Sequence, residues 1–370
     1  MLRTLTVFGT RPEAIKMAPV IAELERQHGR IRNRNCCTGQ HRDMVQPLIQ
    51  FFGIRVDYDL KLMQHNQTLD FLTTRVLEEV GAILKTEPYD YVLVQGDTTT
   101  SMAASLAAYY QGVHVGHVEA GLRTYDKRQP YPEEVNRKII DSVADLYFAH
   151  TEHARQNLLR EGVERSDIAV TGNTVIDALL DVARRDYSFT DPRLQQLARD
   201  PRRIVLVTAH RRESFGEPFE SLCSGLKQLA LKHPDVLVVY PVHMNPNVRK
   251  VVDATLRGID NIVLLEPLDY VPFVHLMKKA YLLLTDSGGV QEEAPSLDKP
   301  VLVMRNVTER QEGVEAGTIK LVGTDAAAIV AETSLLLTDR GAYQAMASKT
   351  NPYGDGTAAL KTVRRLLQEA

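Results

Sequence analysis

In this 370-residue chain, cations, carboxylates and histidines recur directly after apolar runs that read as buried strands, where side chains are free to meet a ligand. TDSGGVQEEA, residues 285–294, follows the run 281–284 and reads as a strand–loop–helix start. The N–H groups of Ser287, Gly288 and Gly289 then open out of a helix N-terminus, where the backbone dipole favours an anion such as a phosphate. Glu293, one turn further in, can accept hydrogen bonds from ribose hydroxyls. A glycine-softened N-cap without any ligand uses the same residues.

GTRPEAIKMAP (9–19) places Arg11 and Lys16 on the opening turns of a helix begun at Pro12. A planar guanidinium and a point charge together suit a diphosphate leaving group, though each alone also reads as a solvated surface cation. VLVQGDTTT (92–100) sets Asp97 beyond a strand, HVEAGLRT (117–124) sets Glu119 at the next strand's end, and PYPEEVNRK (130–138) sets Glu133 and Glu134 on an opening helical turn. One such acid is a cap. Several at one sheet edge, beside cations, suit proton transfer on a phosphorylated ligand. His210 in VTAHRRESFGEPF (207–219) and His243 in YPVHMNPNV (240–248) also follow strands. A histidine there is more often a satisfied polar group than a catalyst; two at neighbouring ends narrow that difference. Gln40 and His41 in TGQHRDM (38–44), Arg211, and Arg310 in MRNVTERQEG (304–313) complete the polar strand ends, and Arg310 can close over phosphates.

The elements that position these groups alternate. Strands at 2–8, 35–38, 91–94, 113–118 and 146–149 are interleaved with helical patterns at 14–27, 69–84 and 101–110, which predicts a parallel, helix-covered sheet. The alternation restarts after a polar, Arg- and Asp-rich stretch near 184–203, with strands at 204–208, 236–240, 262–265, 281–285 and 301–304. The expected fold is α/β with two Rossmann-like doubly wound domains facing a deep cleft. The expected domains are 1–172 with 355–370, whose last helix (357–368) returns to the first domain, and 173–354. Ligands of such sheets bind beyond the carboxyl ends of the strands.

Composition narrows the partners. Hydrophobic residues at 44% and charged residues at 25% are ordinary for a globular chain, and a net charge of −3 gives no basic footprint for nucleic acid or an anionic membrane. No run reaches membrane-spanning length and the amino terminus goes directly into a strand, so a cytoplasmic protein is expected. The three cysteines fit that compartment; Cys36 and Cys37, adjacent on a strand, suit packing rather than a metal site or a catalytic thiol. No metal is expected, and no GxGxxG follows the first strand, so no dinucleotide cofactor is expected either.

Taken in order, GTRPEAIKMAP, GDTTT, HVEAGLRT, YPEEVNR, TGNTVIDAL (171–179), AHRRESFG, PVHMNPNV, TDSGGVQEEAPSL and TER closely resemble the non-hydrolysing UDP-N-acetylglucosamine 2-epimerases, nearly end to end. The resemblance implies the GT-B arrangement and no cofactor. It assigns the phosphates to Arg11, Ser287, Gly288, Gly289 and Arg310, the ribose to Glu293, and the uracil to Phe273 and the Leu268 backbone. Asp97, Glu119, Glu133 and His210 match the family's proposed catalytic groups, with Lys16 near them. It further implies an activator site at Gln40, His41, Arg211 and His243 that takes UDP-N-acetylglucosamine itself, a homodimer, and a place in the synthesis of cell-surface polysaccharide precursors. Val307 and Gln311 depart from the family's TTERPE pattern, where threonine and proline stand. The expected reaction is reversible C2 epimerisation of UDP-N-acetylglucosamine to UDP-N-acetylmannosamine. The rivals are a GT-B glycosyltransferase using the same UDP site, a UDP-sugar sensor without turnover, and a hydrolysing relative.

Overall fold

The computed structural model describes residues 1–64 and 67–369. The chain forms two compact units, 1–178 with 353–370, and 179–352. The helix Thr174–Arg184 carries the chain out of the first unit, and the chain returns between Pro352 and Tyr353.

Unit 1 holds a seven-stranded parallel sheet of β1 (Leu2–Phe8), β2 (Ile31–Cys37), β3 (Tyr58–Asp59), β4 (Tyr91–Gln95), β5 (His114–Ala120), β6 (Leu146–Ala149) and β7 (Ile168–Val170), in the spatial order β3-β2-β1-β4-β5-β6-β7. Its central strands are apolar on both faces because helices cover both, and Leu5, Val7, Val92 and Val94 are wholly buried. Each such side chain contributes roughly 1.5–3 kcal/mol by leaving water. The sheet also carries a buried polar ladder: Thr4 and Thr6 of β1 both donate to the Asn33 side chain of β2, at 2.8 and 3.0 Å. The helix Ala358–Leu366 returns to this unit, burying Ala358, Ala359, Thr362, Val363 and Leu366 as one stripe that includes its packing on the helix Arg11–Arg26.

Unit 2 holds a six-stranded parallel sheet of β8 (Arg203–Thr208), β9 (Val236–Pro241), β10 (Ile262–Leu265), β11 (Leu282–Thr285), β12 (Val301–Val303) and β13 (Ile319–Leu321), in the order β10-β9-β8-β11-β12-β13. Val205, Phe219, Leu226, Val238 and Leu284 lie in its core.

The strand order reverses once in each sheet, between β1 and β4 and between β8 and β11. At such a switch point the two connections leave toward opposite faces and a crevice opens at the carboxyl ends. The polar strand ends read from the sequence fall at and beside these two crevices. The short strands β3, β7 and β13 were not expected; two or three residues at or next to a sheet margin give no readable apolar run.

Candidate functional site

At the unit 1 switch point, β1 runs into Gly9 and Thr10, and the helix Arg11–Arg26 starts with Pro12 in its first turn. Gly9 is required by close approach: a Cβ there would stand 1.9 Å from the Thr38 hydroxyl and 2.9 Å from that of Thr100. Glu13 organises the turn. Its side chain is fully buried; one oxygen accepts the backbone N–H groups of Gly9 (3.0 Å) and Thr10 (2.7 Å), the other the hydroxyls of Thr98 (2.6 Å) and Ser101 (2.8 Å). One carboxylate thereby ties the β1 turn to the β4 turn and compensates its own burial. Arg11, half-buried beside it, makes no ion pair among the described residues.

The catalytic candidates of this edge are individually braced. Glu119 accepts from Lys16 and from the Gln95 amide. It sits at φ +67° where the β5–β6 register shifts, a left-handed conformation that costs a non-glycine residue about 1–2 kcal/mol and re-aims its side chain. Asp97 is paired with Arg137, and its carbonyl accepts from Asn136 at 2.9 Å. Neighbouring Glu133 and Glu134 are sorted by their partners. Glu134 accepts the N–H groups of Thr124 and Tyr125 and the Arg137 guanidinium, all at 3.0 Å, so its carboxylate is spent on the loop. Glu133 Oε2 is buried with no hydrogen-bond partner among the described residues. An uncompensated buried carboxyl oxygen is costly in a resting protein and is where a ligand's proton or hydroxyl can be received.

Beneath these groups lies a buried charge cluster that the sequence reading did not single out. His117 Nδ1 stands 2.5 Å from Asp141 Oδ1 and its Nε2 2.7 Å from the Gly96 carbonyl, so both ring nitrogens donate. Arg123 donates to the other Asp141 oxygen at 2.6 Å and to Glu161. Burial works against the Asp141 charge, but His117 and Arg123 outweigh it and hold this carboxyl below the ordinary range. Gln40 and His41 lie at the β2 end. The Gln40 side-chain oxygen accepts from Thr100 at 2.8 Å, and the His41 N–H donates to the Gly9 carbonyl at 3.0 Å, so both also serve the loop.

At the unit 2 switch point, β8 ends before His210 and Arg211, and β11 before Asp286. Asp286 Oδ2 accepts the backbone N–H groups of His210 (2.6 Å) and Arg211 (2.7 Å), fastening the two strand ends together. The His210 ring stacks on that of His243 at 5.1 Å, 11° from parallel. The glycine helix runs Gly288–Glu293 with Ser287 before it. The Ser287 N–H donates to the Thr285 hydroxyl at 3.0 Å, which removes it from the donors expected to face an anion. Arg310 supplies charge instead. A Cβ on Gly288 would come 2.8 Å from the Arg310 guanidinium carbon, so the cation lies directly on the glycine turn. Arg310 also pairs with Glu292 (2.9 Å) and Glu309 (2.7 Å). Burial opposes the Glu309 charge, yet Arg310, Arg305 and Arg211 hold its carboxyl down to about 2. Gly289 and Glu293 share the helix, a Gly289 Cβ standing 3.4 Å from a Glu293 oxygen. Leu268 follows β10, and Phe273 lies on the helix Tyr270–Lys279, which packs on the turn Ala294–Leu297 after the glycine helix. Val307 is exposed, and Gln311 donates to the Thr308 carbonyl, closing the loop that carries both departures.

No group of three or more His, Cys, Asp or Glu side chains among the described residues is placed to hold a metal ion. Burial pushes the Cys36 thiol up, with Cys37 at about 11 and Cys223 at about 12, which makes them poor nucleophiles. No described helix is long and apolar enough to cross a membrane.

The profile of the family described as UDP-N-acetylglucosamine 2-epimerase matches residues 22–367. The chain belongs to the UDP-N-acetylglucosamine 2-epimerase family. It is 52% identical to the UDP-N-acetylglucosamine 2-epimerase of Yersinia pestis and 52% identical to that of Escherichia coli K12, in both cases over 99% of this chain and 98% of the relative. Among solved structures, the Neisseria meningitidis UDP-GlcNAc 2-epimerase bound to UDP-GlcNAc is 46% identical over 99% of this chain and 100% of that one, with a TM-score of 0.89. The epimerase fold, α/β with two parallel-sheet Rossmann-like halves, is the one expected from the sequence, and membership makes this protein an epimerase, an isomerase by class.

Proposed function

We propose that the protein interconverts UDP-N-acetylglucosamine and UDP-N-acetylmannosamine by eliminating and re-adding UDP. The observation that carries this reading is the environment of the unit 1 acids: Glu133 keeps a buried oxygen unpartnered while Asp97 and Glu119 are held by cations. C2 of an N-acetylhexosamine adjoins no carbonyl carbon, so its proton becomes acidic only as positive charge develops at C1. The C1–O bond therefore breaks first, its electron pair leaving on the diphosphate, whose charge Arg11, Arg310, His210 and the amides of Gly288 and Gly289 receive. A carboxylate of the Asp97, Glu119 and Glu133 set then takes the C2 proton, and the C–H electrons form the double bond of 2-acetamidoglucal. Protonation at C2 from the opposite face, with UDP returning to C1, gives the epimer. Atoms and electrons balance without an oxidant, in keeping with the resemblance's lack of a cofactor. Glu293 takes the ribose, the Leu268 backbone and Phe273 the uracil, and Lys16 steadies Glu119.

The experiment is incubation with UDP-N-acetylglucosamine in D2O without an acceptor, followed by NMR. Deuterium at C2 in an interconverting pair of UDP-sugars is expected. Unlabelled starting material alone overturns the reading, and labelled free sugar as the main product indicates hydrolysis. Gln40, His41, Arg211 and His243 are proposed as an activator site for UDP-N-acetylglucosamine, supported by the stacking of His243 on His210. Started from UDP-N-acetylmannosamine alone, the same assay should lag until a little UDP-N-acetylglucosamine is added; full initial rate without it removes that site. A cytoplasmic homodimer supplying precursors of cell-surface polysaccharide is the proposed setting, and sedimentation tests the dimer.

A further inference from the structure

The unit 2 switch point contains a buried charge that the proposed reaction has not yet used. The Asp286 side chain is 1% exposed, and only one of its oxygens is occupied by the backbone N–H groups of His210 and Arg211. The other, Oδ1, has no hydrogen-bond partner among the described residues and lies 3.5 Å from Nδ1 of His210. Fastening two backbone amides calls for an acceptor, which an asparagine would supply. It does not account for a second, bare carboxylate oxygen in a buried place, which costs free energy unless something answers it. The nearby ring nitrogen is that answer. Nδ1 and Oδ1 stand just outside hydrogen-bond length, a separation that closes with a small rotation of the half-exposed ring.

The opposite face of the ring is equally determined. His243 Nδ1 accepts the backbone N–H of Asn245 at 3.1 Å, so that nitrogen carries no proton and the His243 ring is neutral. Burial and the neighbouring His210 also hold His243 below the ordinary histidine value. His210 thus lies between a neutral aromatic plate and a carboxylate, with room for a positive charge on one ring of the stack and not on both.

We infer that Asp286 is a positioning residue: it accepts the proton on Nδ1 of His210 and fixes the ring, so that the doubly protonated ring offers its Nε2–H to the departing diphosphate. The inference rests on the reading that His210 serves diphosphate departure. No bond is made or broken at Asp286, which acts through the orientation and charge balance of the ring.

The test uses the full chain with 15N-labelled histidine, its His210 signals assigned by their loss in His210→Asn. Wild-type protein should show Nδ1 protonated. In Asp286→Asn the amide oxygen still accepts both backbone N–H groups, while the amide nitrogen now donates toward Nδ1, so that Nδ1 must accept and the ring keeps a proton on Nε2 alone, without the positive charge. Nε2–H can still donate, but from a neutral ring without its carboxylate partner, so kcat should fall by about 10-fold, the scale of losing the charge assistance of one hydrogen bond to a developing anion. UDP affinity by calorimetry should stay within about twofold, because ground-state phosphate binding rests on Arg310 and the glycine turn. A merely structural role would not move the Nδ1 proton. A wild-type ring without a proton on Nδ1 overturns the inference, as does an Asp286→Asn variant that keeps the wild-type protonation and kcat. Should that variant fail to fold, the wild-type spectrum decides alone. A wild-type protein that shows Nδ1 protonated but forms no C2-deuterated sugar defeats the epimerase reading, not the ring assignment.

Discussion

Each unit of this protein has a histidine facing an aspartate near its switch point, on β5 beside β4 in unit 1 and just beyond β8 in unit 2, and the two pairs are built to opposite ends. In unit 1, His117 and Asp141 are 1% and 3% exposed, both ring nitrogens are occupied, and Arg123 completes the charge balance. In unit 2, the His210 side chain is 42% exposed, its ring approaches Asp286 without reaching it, and one carboxylate oxygen is bare among the described residues. The same two residue types make a closed cluster in one place and an open one in the other. What separates them is how many partners surround them. A saturated pair has nothing left to offer a ligand and can only hold structure; an unsaturated one stores desolvation free energy that a ligand can release.

The largest effect that would break this contrast is on stability. Asp141→Ala strands the His117 and Arg123 charges in the interior and should cost unit 1 about 3–5 kcal/mol. Asp286→Ala exposes two backbone amides beside a half-exposed ring and should cost about 1–2 kcal/mol. Urea denaturation, read by hydrogen exchange at β5 and at residues 210–212, separates them; equal losses would mean that both pairs are structural.

The second effect is on binding. Gly288→Asp drives a side chain into Arg310 and sets a carboxylate against the diphosphate, so UDP affinity should fall by about 100-fold or more while the unit 1 amides keep their exchange protection. Unchanged UDP affinity by calorimetry, with the fold intact, would remove the glycine turn from the open edge.

The smallest effect is on pH. His243 is held below its ordinary 6.5 in the folded protein, so the unfolded chain takes up its proton first; this contribution is present above about pH 6.5 and declines as pH falls toward the folded value. Asp141 is held below 3.8, so its contribution is present above about pH 3.8 and lost only as pH falls through its lower folded value. Between pH 6.5 and 5.5, exchange protection should therefore weaken slightly at residues 210–214 and not in β5. Equal weakening in both would show that the closed pair is not closed.

Much of this organisation was legible beforehand, for a physical reason. Continuous apolar strands such as β1, β4, β8 and β11 are long enough to announce themselves, and glycine with a charged residue immediately after such a run marks a carboxyl end. That placed the polar groups at the two sheet edges. What each of them was paired with was not legible, because the partners arrive from distant chain: Asp141 reaches His117 from a helix 24 residues on, and Asp286 meets His210 from 76 residues on. Ser287 was read as offering its N–H to an anion because the competing Thr285 hydroxyl lies in its own strand, a local contact that glycine loops make easy to overlook. Glu13 could have been found: Thr10 with a carboxylate three residues later and Pro12 between them is a helix-start signature.

The returning helix Ala358–Leu366 has a consequence for how the protein is made. Asn173 donates to the Tyr353 carbonyl at 2.7 Å, and the Asp177 carboxylate accepts the N–H groups of Ala358 and Ala359 at 3.1 and 2.9 Å, so the outgoing and incoming chain are stitched together within unit 1. Unit 2 is therefore an uninterrupted passage inside an interrupted one. On a ribosome, all six strands of the second sheet emerge before the helix that seals the first. Of the two units, the one whose chain emerges first is thus the one completed last, and until then the face of the helix Arg11–Arg26 that the returning helix covers must wait for it.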